Sequence, residues 1–420
     1  MMPARQIWVI AHRWAGLTIA LFLTIAGATG SLLAFYDELD TLAAPGIHNV
    51  APPTRGAAVL DPLALRNRVR AAYPGGVINY LPLHFEPGQS LKLEIQRVDP
   101  ASGTLRPWSE EWDEVFVDPY TGETLGRRQW GDIGQGMINL MPFLYRLHYS
   151  LALGDYGVLA FGIAALIWTL DCFVGFYLTV PRRQRRRDIQ PPRRAQSWWS
   201  RWRPAWLVRW RGGQHKLTFD LHRAGGLWVW PLLMVFAWSG VSFNLTQVYS
   251  PVMKLFGYER LQDGIVPPPT PRFAPRLDFE AAVAVGQRLA RQEIARRGLT
   301  IDPSREAALF HRPDAGVYVY IFTSSADIRT HGGRSLAIFD SDTGTLRKLV
   351  LPQGQNGANT LTEWITSLHM GAVWGLPWRI AVSLIGLMVT MLSVTGVLIW
   401  MRKRSARILR KDRALAALPA

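Results

Sequence analysis

The sequence predicts a membrane α-helical bundle of four transmembrane helices, produced by an internal duplication, with two α+β domains outside the bilayer. Three observations predict it. Four apolar runs are long enough to span a hydrocarbon core, which takes about 20 residues. The basic residues crowd against those runs: residues 181–216 hold 12 Lys/Arg and residues 402–413 hold 7, so 19 of the 47 lie in two short segments. Short motifs also recur in the same order in each half, beginning with AHRWAGL at 11–17 and LHRAGGL at 221–227.

Residues 1–36 form the first transmembrane element, with its apolar run at 14–36. That run is longer than a signal-peptide core and no small-residue cleavage site closes it, so it reads as an anchor. Residues 37–145 form the first outside domain. DPLALRNRVRAAY (61–73) carries helical periodicity, and GVINYLPLHF, SLKLEIQRV and DEVFVDP are strand-like. Residues 146–181 carry the second span (run 157–180), 182–216 a basic loop, and 217–247 the third span (run 224–246). Residues 248–362 repeat the outside pattern, with a periodic helix at 277–294 followed by EAALFH, GVYVYIFTS and SLAIFD. Residues 363–402 carry the fourth span (run 380–401), and 403–420 form a basic tail. Lys and Arg are retained beside cytoplasmic span ends, which assigns the basic loop, the tail and both termini to the cytoplasm.

The net charge of +16 raises nucleic acid as a partner. The charge is confined to span flanks and no binding motif accompanies it, so no nucleic-acid role is expected. Cys172 is the single cysteine, which excludes an intramolecular disulfide. No C-x-x-C-H occurs, so any haem would be held without thioether links. GDIGQG (131–136) suggests a phosphate loop but follows no convincing strand, and is set aside.

The duplication runs through the chain. His12 matches His222, and Thr29-Gly30 matches Ser239-Gly240, at an offset of 210. Asp118, Thr121 and Gly122 match Asp340, Thr343 and Gly344 at 222, a hairpin-turn chemistry in each half. RLHYSLALG (146–154) matches SLHMGAVWG (367–375) at 221, pairing His148 with His369 and Gly154 with Gly375; Gly175 then matches Gly396. Two halves in one orientation imply a pseudo-two-fold axis along the membrane normal.

An isolated histidine at a span edge reads as an interfacial anchor. Four in a duplicated two-plus-two arrangement read as ligands. His12 and His222 would supply both axial positions of one haem iron near the cytoplasmic face, and His148 and His369 those of a second near the outside face. Gly16 and Gly226, one turn after His12 and His222, would admit a flat ring. Gly27, Gly30, Gly175, Gly240 and Gly396 would permit close helix approach. Arg13 and Arg223 would pair with haem propionates. Met370 is a weaker ligand candidate, since its counterpart is Tyr149. His215 lies on the face of His222, about 10 Å away, but its counterpart is Arg5, so it reads as a solvated loop residue. His48, His84, His311 and His331 read as surface histidines of the outside domains. Asp171, deep in the second span, is a functional candidate by default. A proton relay and a bond to a neighbouring helix are both open, and its counterpart is Leu392.

The HRWAGL opening, the LHRAGGL third span and the paired D-x-x-TG turns resemble the PepSY-associated transmembrane proteins, bacterial iron-regulated inner-membrane proteins that include ferrisiderophore reductases. The resemblance covers nearly the whole chain. It implies periplasmic PepSY-like domains, two b-type haems held by His12, His148, His222 and His369, and electron transfer to a ferric siderophore or other ferric chelate. A quinol or a cytoplasmic reductase would be the donor. Arg146, Trp374 and Trp378 would then rim a substrate surface beside the outer pair. The absence of a nucleotide-binding motif implies that this chain binds no NAD(P)H or flavin itself. Two rival expectations are a cofactor-free transporter of iron chelates and a membrane-anchored PepSY protein that restrains a peptidase.

Overall fold

The computed structural model describes residues 4–416 apart from residues 55, 85, 87, 183–195, 303–304, 306–307 and 331. Much of the basic 182–216 loop, the end of the basic tail and His331 therefore lie outside the described residues. The chain divides into two compact units. One takes in the residues up to Ala34, Leu147–Tyr249 and the residues from Ile380 on; the other takes in Phe35–Arg146 and Ser250–Arg379.

Seven helices bear on function: α1 (Ala4–Leu33), α2 (Leu140–Ser150), α3 (Gly154–Thr179), α4 (Gln214–Trp228), α5 (Trp230–Asn244), α6 (Gly357–His369) and α7 (Leu376–Ala416). Of these, α1, α3 and α7 are long and apolar enough to cross a membrane. The expected third span is not one straight helix. It is the pair α4 and α5, bent by 74°. The break falls at Val229, just before Pro231 in the first turn of α5. Proline has no N–H to close the helical ladder, and its ring crowds the carbonyl four residues back.

The second and fourth spans differ from expectation in the same way as each other. His148 and His369 lie on the short helices α2 and α6, ahead of the spans α3 and α7. The breaks between them use left-handed backbone, at Leu151 (φ 51°), Ala152 (φ 56°) and Gly154 (φ 59°), and at Gly371 (φ 70°), Trp374 (φ 56°) and Gly375 (φ 63°). A left-handed turn ends a right-handed helix abruptly, which separates each histidine-bearing helix from the apolar span that follows it. α7 continues to Ala416, so the first part of the basic tail is helical.

Small residues bring the first unit's helices together. A Cβ on Gly27 would stand 2.6 Å from the Gly386 carbonyl, so α1 and α7 touch backbone to backbone. Ser383 Oγ donates to Ser31 O at 2.9 Å across the same seam. α3 meets α5 likewise: a Cβ on Gly162 would stand 2.9 Å from Asn244 O, and one on Gly240 3.1 Å from Ala165 Cβ. Asn244 Nδ2, at the end of α5, also donates to Tyr149 O on α2 at 2.6 Å. Lipid offers apolar helices no hydrophobic drive to associate, so close packing at small residues and such bonds supply it. Cys172, Leu233, Ile385 and Val389 fill the space between.

Among its described residues the second unit contains ten strands, β1 (Tyr80–Pro82), β2 (Leu91–Glu94), β3 (Gln96–Val98), β4 (Leu105–Pro107), β5 (Glu114–Val117), β6 (Thr124–Arg128), β7 (Ala308–Arg312), β8 (Val317–Phe322), β9 (Ser335–Asp340) and β10 (Leu346–Val350). They form a five-stranded sheet in the order β1-β7-β8-β9-β10, a three-stranded sheet β2-β5-β6, and the β3-β4 hairpin. The two long inter-span segments, expected as separate α+β domains, thus share a sheet: Leu81 of β1 pairs with Leu309 of β7, antiparallel. One core also draws on both, with Leu65, Ile78, Leu93 and Val115 from the first segment and Leu289, Tyr318, Phe322 and Phe339 from the second. Neither segment buries its apolar faces alone. The duplicated turns have the same geometry. Asp118 accepts from Tyr120 N and Thr121 N, Asp340 accepts from Asp342 N and Thr343 N, and Gly122 (φ 77°) and Gly344 (φ 69°) take the left-handed position.

Arg128 is fully buried in this unit. Its guanidinium donates to Asp40 at 3.0 Å, to Glu114 at 2.7 Å and to Ile138 O at 2.9 Å. Removing the cation leaves two buried carboxylates with only the weaker partners Lys92, 3.2 Å from Glu114, and His48, 3.1 Å from Asp40. Arg128→Ala is expected to cost about 3–5 kcal/mol of folding stability, read as a lower thermal unfolding midpoint of the detergent-solubilised protein.

Candidate cofactor site

The first unit brings His12 and His222 together. Their ring centroids are 6.1 Å apart and the rings are inclined at 54°. Each imidazole reaches across to a neighbouring helix. His12, on α1, sets Nδ1 2.9 Å from both carboxylate oxygens of Asp171 on α3. His222, on α4, sets Nδ1 2.9 Å from Leu392 O and 3.2 Å from Thr395 Oγ1 on α7. A glycine one turn further along each of those helices makes room for the ring: a Cβ on Gly175 would stand 3.4 Å from His12 Cε1, and one on Gly396 3.2 Å from His222 Cε1. Asp171 and Gly175 correspond to Leu392 and Gly396 at one offset, 221, so the two seats are copies of each other.

This arrangement fixes which nitrogen is available. With Nδ1 on an acceptor, Nδ1 carries the proton and Nε2 keeps its lone pair, the tautomer a metal requires. Among the described residues neither Nε2 is hydrogen-bonded or ion-paired. One metal bound by two imidazole nitrogens at about 2 Å places the ring centroids about 6 Å apart, which the observed spacing matches. The donor set therefore fits a bis-histidine haem iron. Among the described residues no group of three or more His, Cys, Asp or Glu side chains gathers as a metal site.

His148 is seated by the same rule. Its Nδ1 lies 3.0 Å from Thr29 Oγ1 on α1, and a Cβ on Gly30 would stand 2.9 Å from its Cε1. Thr29 hydroxyl donates back to Ile25 O at 2.7 Å, and Ser239, its duplicate, donates to Val235 O at the same distance. His369 belongs to the second unit, as the last residue of α6. There Glu363 and Ser367 bond Arg329 at 2.7 and 2.9 Å. Trp364, Trp374 and Trp378 stand edge to edge, with centroids 6.2 and 5.2 Å apart, and Trp378 Nε1 donates to Leu368 O. Trp374 and Met370 are exposed. Arg146 donates to Gly131 O at 3.1 Å.

Other expected residues fall differently. The glycines against the imidazoles are Gly30, Gly175 and Gly396, expected as helix-packing positions; Gly27 and Gly240 do serve helix approach. Gly16 has open space at its Cβ position, and Gly226 meets only Leu392 Cδ2 at 3.8 Å. Arg223 is engaged with Asp220 at 2.9 Å and Pro204 O at 2.7 Å, whereas Arg13 makes no ion pair among the described residues. His215 and His84 are exposed, as expected. His311 is not a surface residue: it is 3% exposed and stacks at 4.6 Å on Tyr318. Burial, aided by the Arg66 charge, holds its pKa down to about 4. His48 also turns inward, 3.1 Å from buried Asp40. Both lie where a strand or short helix faces the core, which sequence spacing alone does not mark. Thr29, Asp171, Thr395 and the three imidazole-facing glycines carried a usable signal, the recurrence of T/S-G and of a residue four before glycine at the duplication offsets.

The model of the PepSY-associated TM region matches residues 9–403. Comparison with curated proteins finds no match. The matched span contains every histidine seat described above, and the chain belongs to the PepSY-associated TM family of membrane proteins.

Proposed function

We propose that the protein is a di-haem, b-type electron-transfer protein of the bacterial inner membrane that reduces a ferric siderophore on the periplasmic side and so releases ferrous iron. In this reading the chain crosses the membrane four times, counting α4 and α5 as one broken span. Both termini are cytoplasmic, as the Lys/Arg bias favours. The shared sheet and core form a periplasmic PepSY-like body of two duplicated segments.

The observation that carries the reading is the inner pair. His12 and His222 stand at the spacing of two ligands on one metal, each with Nδ1 bound and Nε2 open. Two histidines brought together in an apolar unit with their second nitrogens already occupied are organised to bind, not to anchor a lipid interface. His148, seated by Thr29 and Gly30, would hold the second group, with its duplicate in the sequence, His369, as the expected second ligand. Bound there, haem b supplies one-electron exchange at iron. The residues do the rest. Asp171, Leu392 O and Thr395 fix the ring orientations, Gly175 and Gly396 let the rings lie flat on the far helices, and Arg13 is available for a propionate. On the periplasmic side, Trp374 and Trp378 offer an aromatic surface to a chelate. Hydroxamate oxygens hold ferrous iron less tightly than ferric iron because the lower charge weakens bonds to hard donors, so one electron is enough to loosen the metal. The donor is a quinol or a cytoplasmic reductase.

Two measurements test this. Protein purified from cells supplied with haem is expected to show a strong Soret band that sharpens on dithionite, with about two haems per chain. A folded, colourless protein would contradict the reading and favour transport or peptidase regulation. His12→Ala and His222→Ala are each expected to lose about one haem, the same one, and His148→Ala and His369→Ala the other. The check is pyridine haemochrome content of each variant; loss of both from every variant would contradict two separate sites.

A further inference from the structure

The inner pair is held by acceptors of different charge. His12 Nδ1 faces the Asp171 carboxylate, with both oxygens at 2.9 Å. His222 Nδ1 faces a neutral carbonyl and a hydroxyl, and His148 Nδ1 faces the neutral hydroxyl of Thr29. The carboxylate stands where the duplicated half has Leu392. Its side chain is 10% exposed, and among the described residues His12 is its one ion-pair partner. A carboxylate within an apolar span is costly. Leu392 O demonstrates, at the matching place, that a neutral acceptor seats an imidazole equally well. The hydrogen bond alone therefore does not account for the charge.

We propose that Asp171 is a positioning residue that lowers the reduction potential of the centre held by His12 and His222 below the value that a neutral acceptor at His12 would give. The proposal rests on the haem reading above. Two effects act in the same sense. A carboxylate on Nδ1–H draws that proton toward itself, which makes Nε2 a stronger donor to the metal and favours the ferric state. A fixed negative charge in a medium of low dielectric also opposes reduction, because ferric iron carries one more positive charge than ferrous iron. Leu392 O and Thr395, which seat His222, give neither effect.

The test is a spectroelectrochemical titration of the haem-loaded protein. The inner component is the one that His12→Ala removes. Asp171→Asn keeps an acceptor for Nδ1–H but removes the charge. It is expected to raise the potential of that component and leave any other component in place, while Asp171→Glu stays near the wild type. Thr395→Asp places a carboxylate beside His222 and is expected to shift the inner potential down. An inner potential unchanged in Asp171→Asn, or raised equally in Asp171→Glu, would overturn the proposal while leaving the haem reading intact. If Asp171→Asn fails to load, Thr395→Asp decides: a lower potential supports the proposal and an unchanged one overturns it. A wild-type protein without haem would instead overturn the function on which the proposal rests.

Discussion

An imidazole inside an apolar helix bundle must put its N–H on an acceptor, because no water is there to take it. Much of the first unit follows from that constraint. α1 lies against α3 where Asp171 meets His12, and α4 against α7 where Leu392 O meets His222. The acceptors fix the tautomer, the tautomer frees Nε2, and the freed nitrogens of two rings 6.1 Å apart define the site. The glycines follow from the same demand, since a Cβ would collide with the imidazole at Gly30, crowd it at Gly396 and touch it at Gly175.

The duplication explains why the seats resemble each other, and its departures show where the halves were free to differ. Pro231 bends the third span at Val229, while the matching part of α1 runs unbroken. Asp171 charges one seat and Leu392 leaves the other neutral. The second unit departs from the duplication as well, since the first segment lends only β1 to the five-stranded sheet and builds the β2-β5-β6 sheet and the β3-β4 hairpin by itself. Its two segments close one sheet and one core between them, and paired Asx turns at Asp118 and Asp340 set the hairpins alike.

The histidines, the repeat and the apolar runs were legible in the sequence because each depends only on local composition and order. The family was legible for the same reason, through the succession of short motifs, and the match over residues 9–403 bears that out. What was not legible depends on three-dimensional neighbours. The breaks at Leu151–Gly154 and Gly371–Gly375 lie between each histidine and the apolar run that follows it, and hydropathy does not mark the left-handed backbone that makes them. Gly175 and Gly396 read as packing glycines until the facing imidazoles were known. Asp171 looked unrelated to the symmetric scaffold because its counterpart is leucine, yet Leu392 does the same work through its backbone carbonyl. Side-chain identity cannot reveal a role that the main chain performs. The pairing of β1 with β7 was hidden too, since strand signals carry no information about partners more than 200 residues apart.

The central claim is that His12 and His222 bind one iron between them through Nε2. The most direct measurement is near-infrared magnetic circular dichroism of the oxidised protein, in which the position of the low-spin charge-transfer band identifies the axial ligands of each haem. The account predicts bands of bis-histidine ligation alone. A histidine–methionine band, or a high-spin spectrum showing an axial position without a protein ligand at the centre His12 supports, would contradict it.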